Sequence, residues 1–98
     1  MKMKEYNLVL ATDDQDMVTV YANAMQEGLG VDGCTVTRGI GFWKGEREIV
    51  HTITVVKQEV VGGKANFMLA CIADSYRKVG KQDSVMTYIR EVDVCFVQ

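Results

Sequence analysis

Two hydrophobic periods alternate along this chain, and that alternation limits what it can fold into more than any other feature. From Cys34 the period is two. Cys34, Val36, Ile40 and Phe42 point one way, while Thr35, Thr37, Gly39, Gly41 and Trp43 point the other. After Lys44-Gly45-Glu46 the run "REIVHTITVV" alternates again, with Ile49, His51, Ile53 and Val55 opposing Glu48, Val50, Thr52, Thr54 and Val56. Two such runs joined by a short glycine-containing turn predict an antiparallel hairpin with one apolar and one threonine-rich face.

On either side the period is that of a helix. In "TDDQDMVTVYANAMQEGLG", Met17, Val20, Tyr21, Ala24 and Met25 recur at three- and four-residue steps. Thr12 and Gln15 have capping-box spacing, and Asp13, Asp14 and Asp16 fall in the first turn, where the helix dipole favours acids. Gly28 is placed to end this helix. The acids read as caps rather than a cation site, because no further ligand residues lie nearby. Gly62-Gly63 precede a second helical run, "KANFMLACIADSYRKVG", whose Ala65, Met68, Leu69, Ile72, Tyr76 and Val79 share a face before Gly80. "YNLVLAT" (Tyr6 to Thr12) suits a buried strand. "DSVMTYIREVDVCFV" suits one long strand, or two short ones broken near Arg90-Glu91. The predicted order is strand, helix, strand, strand, helix, strand, with helices near residues 14–27 and 64–79. That order defines an α+β, ferredoxin-like βαββαβ sandwich, an antiparallel sheet with two helices on one face.

Composition agrees with one globular domain over residues 1–98: 48% of residues are hydrophobic, 24% charged and none is proline. The net charge of −2 gives no general pull toward nucleic acid or an anionic membrane, so anion binding would need a local patch. Cys34, Cys71 and Cys95 are odd in number and set in apolar runs, which predicts reduced core thiols rather than disulfides or a metal site. With no apolar run long enough for a signal peptide or a membrane span, the expected location is cytoplasmic.

The segment "RGIGFW" resembles the RNP1 signature of RNA-recognition motifs at Arg38, Gly39, Gly41 and Phe42. Ile40, however, stands where a stacking aromatic belongs, and the segment falls on the second strand rather than the third. A dinucleotide fingerprint or P-loop joins a strand to a helix N-terminus, whereas these glycines lie within a hairpin. Over more of the chain, "GIGFWKGERE", "IADSYRKVGKQDSV" and "VDVCF" resemble a family of small uncharacterised bacterial ferredoxin-like proteins. Its members carry a G-x-W-x-G turn, a glutamate on the following strand, a tyrosine late in the second helix and a Q-x-S-V strand start. The matching positions are Gly41, Trp43, Gly45, Glu48, Tyr76, Gln82, Ser84 and Val85, in the C-terminal two-thirds of the chain. The resemblance implies the same fold and singles out the tryptophan turn. It implies no activity.

Among candidate site residues, Arg38 shares parity with the apolar face, where an unpaired guanidinium is too costly to bury. Gly39 or Gly41 is expected to make a bulge that swings it outward; otherwise it meets an acid or a bound anion. His51 reads as a hydrogen-bonded core residue, and Glu46 and Glu48 as solvated partners of cross-strand pairs. No catalytic constellation, metal site or cofactor motif emerges. The surface left is the hairpin and its threonine face, with Arg38, Trp43, Lys44, Arg47, Glu48, Thr37 and Thr52 as ligand-binding candidates. An indole for stacking, cations for pairing and hydroxyls for hydrogen bonding suit a small, anionic, nucleotide-like molecule, sensed or sequestered without catalysis. The alternative is a protein-interaction module or inhibitor that docks a partner on the same surface, with Trp43 as anchor or as structural cover. The open sheet face, with Val9 or Ala11, Val50 and Val56 among threonines, predicts a homodimer or larger assembly.

Overall fold

A computed structural model describes residues 1–98. Its elements are β1 (Lys2–Leu10), α1 (Gln15–Leu29), β2 (Thr35–Trp43), β3 (Glu46–Lys57), α2 (Ala65–Val79) and β4 (Thr87–Asp93). All strand pairs are antiparallel, in the order β2-β3-β1-β4. This is the ferredoxin-like βαββαβ sandwich. The last strand is single and unbroken through Arg90 and Glu91.

The core forms where one sheet face meets both helices. Tyr6, Leu8 and Leu10 of β1 and Ile53 and Val55 of β3 pack against Tyr21, Met25 and Leu29 of α1 and Leu69, Ile72 and Tyr76 of α2. Each apolar side chain buried this way contributes roughly 1.5–3 kcal/mol. The rings of Tyr21 and Tyr76 meet edge to face, with centroids 5.3 Å apart, and lock the helix pair.

The start of α1 differs from the capping-box expectation. Asp14 is the N-cap, its carboxylate accepting from the backbone N–H groups of Asp16 and Met17, and the Thr12 hydroxyl accepts from the Asp14 N–H one step earlier. The helix also runs past Gly28. Leu29 continues the four-residue rhythm of Tyr21 and Met25 into the core, and Gly30, at φ +68°, supplies the left-handed cap. Gly28 instead faces α2, where a Cβ would come within 2.9 Å of Ile72 Cδ1. Val20, expected inside, is exposed, and Val18 takes its place. Lys57, at the far end of β3, donates from Nζ to the Leu29 carbonyl at 2.7 Å and satisfies an otherwise open helix end.

Strand β2 is an edge strand, and the helices do not reach it. Its helix-side residues Val36, Ile40 and Phe42 are exposed, Phe42 to 74%. Its pairing with β3 runs without interruption from Thr35↔Thr54 to Trp43↔Glu46, so no bulge exists at Gly39 or Gly41. Arg38 therefore stays on the helix-side face, opposite His51, and is exposed because nothing covers that end of the strand. It pairs with Asp13 at 3.3 Å. Of the three cysteines, all free, Cys71 and Cys95 are exposed rather than core thiols: Cys71 lies on an outward side of α2, and Cys95 lies beyond the end of β4. Burial pushes the half-buried Cys34 thiol above its usual pKa. No helix is long and apolar enough to cross a membrane.

Candidate functional site

The hairpin sets the geometry. Lys44 and Gly45 form a two-residue loop between β2 and β3, and both have positive φ (50° and 79°), the signature of a type I′ turn. Only Gly45 adopts that conformation without strain. The tight turn keeps Trp43 at the hairpin tip, 53% exposed, with Lys44 Nζ 5.9 Å from its ring centroid.

Strand β3 outruns its neighbour. Its pairing with β1 ends at Leu10↔His51, while its pairing with β2 continues to Glu46. The segment from Glu46 to Val50 thus has no strand on its β1 side. The connection from α2 to β4 fills part of the gap, anchored where the Val9 N–H donates to the Met86 carbonyl at 3.0 Å. Between the hairpin arm and this connection lies a cleft of about 500 Å³. Trp43, Glu48 and Thr52 line one side, Gln82 to Met86 the other, and Tyr76 its inner end. Gly41 keeps the floor low, since a Cβ there would come within 3.1 Å of Val50 Cγ1 and 3.6 Å of Glu48 Cγ.

Tyr76 is the least expected of these residues. The helical period marks it as core, and it is 1% exposed, yet its hydroxyl is buried with no hydrogen-bond partner. An unsatisfied buried hydroxyl costs roughly 1–3 kcal/mol, which makes this one a place to look for a ligand. Burial raises its pKa above the usual phenol value, and the negative charge of Glu48 adds to the rise. The Ala11 backbone opposes it from nearby without making a hydrogen bond of good geometry. Gly80, one turn on, lets the ring lie flat: a Cβ there would meet Tyr76 Cε1 at 2.9 Å.

The candidates named from sequence divide between two faces. Trp43, Glu48 and Thr52 meet in the cleft, Thr37 lies directly across from Thr52, and Lys44 covers the indole. Arg38 and Arg47 do not join them. Arg47 pairs with Phe42, one residue out of phase with Trp43, and so projects from the opposite face, and Arg38 is held by Asp13. Lys81, missed in the sequence reading, lines the cleft in their place. Glu48 faces Gly41, which offers no side chain, and joins none of the ion pairs expected of it. His51 is 3% exposed, its Nδ1 2.8 Å from the Thr12 carbonyl and its Nε2 3.4 Å from Gln15 Nε2, a satisfied core histidine. Seven of the eight motif positions singled out by resemblance converge on this one cleft: Gly41, Trp43, Glu48, Tyr76, Gln82, Ser84 and Val85. Gly45 shapes the turn beside it. A second cleft, of similar volume, lies at Gly62-Gly63-Lys64 and contains no unpartnered buried polar atom. No group of three or more histidine, cysteine or acidic residues is arranged to hold a metal ion.

Fold and cleft together define a ferredoxin-like domain with a ligand-sized opening at the end of its sheet. No family model and no curated protein matches the chain. Among solved structures it is similar to one described as de novo designed protein Foldit4, at 11% identity over 96% of this chain and 98% of that one, with a TM-score of 0.45.

Proposed function

We propose that this chain is a non-catalytic small-ligand-binding protein that senses or sequesters a flat, anionic, nucleotide-like molecule in the Trp43 cleft. The observation that carries this reading is the meeting of a half-exposed indole with a buried, unpartnered tyrosine hydroxyl in one cleft of about 500 Å³. That volume lies within the range of small-molecule sites. Stacking on Trp43 supplies apolar contact, and the Thr52 hydroxyl adds a polar one. The anionic part of the ligand falls to Lys44 and Lys81, since Arg38 and Arg47 face elsewhere. Incubating the pure protein with a mixed nucleoside and nucleotide pool, desalting it, denaturing it by heat and identifying what is released tests the reading. Retention of one or a few compounds by the native protein, and not by a Trp43→Ala variant, is expected. Release of nothing above that control contradicts it.

A second reading rests on a surface that adjoins the cleft and shares Ile40 and Phe42 with its lining. The free edge of β2 carries Val36, Ile40 and Phe42, all exposed, and an edge with an apolar row suits a partner chain that adds a strand.

A further inference from the structure

Two polar groups that border the cleft make no hydrogen bond or ion pair within the fold, and their hydrogen-bonding roles are opposite. The Tyr76 hydroxyl, buried at the inner end, has a proton to donate and no acceptor. The Glu48 carboxylate offers only acceptors, and it joins none of the molecule's ion pairs or side-chain hydrogen bonds. The carboxylate lies low over the glycine floor, where a Cβ at Gly41 would be 3.8 Å from Glu48 Oε1. Tyr76 feels its charge. One donor and one two-oxygen acceptor thus border the space beside the Trp43 ring.

We infer that the cleft reads the edge of a guanine-type ring: an acceptor followed by two adjacent N–H donors. The ring carbonyl accepts from the Tyr76 hydroxyl, and the ring N–H and exocyclic amine donate to the two oxygens of Glu48. The ring stacks on the indole. This edge engages both the Tyr76 hydroxyl and the two Glu48 oxygens at once, whereas an adenine-type edge, with one donor beside one acceptor, leaves a carboxylate oxygen idle. A donor and a carboxylate placed to receive hydrogen bonds reject a ring that cannot supply them, because their own groups stay unpaired. The inference rests on the small-ligand reading and narrows it to one class of base.

Trp43 is the only tryptophan, so its emission reports the cleft directly. Titration with the 5′-monophosphates of guanosine, inosine and adenosine keeps the phosphate constant and changes only the ring edge. The guanosine compound should bind tightest, the inosine compound about tenfold more weakly and the adenosine compound weaker still. Tyr76→Phe should lose about tenfold in affinity for the guanosine compound without a lower melting temperature, because it removes a hydroxyl that has no partner in the free protein. Equal binding of all three, no binding of the guanosine compound, or Tyr76→Phe affinity equal to wild type each overturns the inference. If pool experiments then recover a ligand with another edge, the small-ligand reading stands and only the guanine assignment falls. If they recover nothing, both fall.

Discussion

Glu5 sits at the centre of the open sheet face and shows how single residues settle that face's character. Its carboxylate accepts from Arg90 Nε at 3.0 Å and from Asn7 Nδ2 at 3.0 Å, and the Asn7 carbonyl oxygen accepts from the Thr54 hydroxyl at 2.6 Å. Burial acts to raise the Glu5 pKa, but the hydrogen bonds from Arg90 and Asn7 outweigh it and hold the carboxyl below its ordinary value of 4.5. A depressed folded-state pKa contributes stability that is present above 4.5 and lost as the pH falls through the lower folded value. Glu5→Gln should therefore flatten the acid limb of stability against pH, measured by chemical denaturation between neutral pH and pH 3; an unchanged limb would show that this network does not bear on folding. At the turn, Lys44 occupies a positive φ that asparagine tolerates better. Lys44→Asn should stabilise the hairpin by about 0.5 kcal/mol, read as a raised denaturation midpoint. That same change removes the cation beside Trp43 and should weaken binding of an anionic ligand.

Among the elements, the helix pair is fitted around Gly28. Alanine there gains about 1 kcal/mol of helix propensity but forces the ends of Ile72 and Met68 aside, at 2.9 and 3.3 Å from the added Cβ. These terms nearly cancel, so Gly28→Ala should be close to neutral, whereas Gly28→Leu should cost roughly 2–3 kcal/mol by overpacking the α1–α2 contact. Calorimetric melting of both variants separates close packing from a merely permissive site. A glycine in a helical run reads from sequence as a terminator, and this one misled because the reason for it lies on another helix, 40 or more positions along the chain. The same limit explains Arg38. Its parity was legible, and the conflict with burial was real only if helices cover the second strand. The strand order placing β2 outside their reach is a long-range fact that local periodicity does not encode.

For the whole molecule, element type and order were legible because three independent signals agree: the switch of period, the glycines between elements and the β-branched last strand. The cleft was legible only in part. Trp43 and Glu48 share parity, which the alternation displays, but Tyr76 carries the periodic signature of a core residue and nothing in it announces a free hydroxyl. The gap it points into exists because β3 outlasts β1, a difference in strand length rather than in residue pattern. Self-association remains the expected state, with a changed surface. The open face is occupied by the Glu5, Asn7, Arg90 and Thr54 network, whereas β2 presents an unpaired edge and an exposed apolar row. Sedimentation at high micromolar concentration should reveal a dimer that Ile40→Lys disrupts, and a monomer throughout would contradict it.

Replacing Trp43 with alanine bears most directly on whether the hairpin tip is a site. Half of this side chain is already in solvent, and Lys44 Nζ, in the same turn, lies 5.9 Å from its ring centroid. The paired readout is ligand retention and melting temperature for wild type and Trp43→Ala. Retention should be lost while the melting temperature moves by no more than a few degrees, the shift that about 1 kcal/mol produces in a domain of this size. Undiminished retention would remove Trp43 from the site, and a collapse in stability would make it a structural residue.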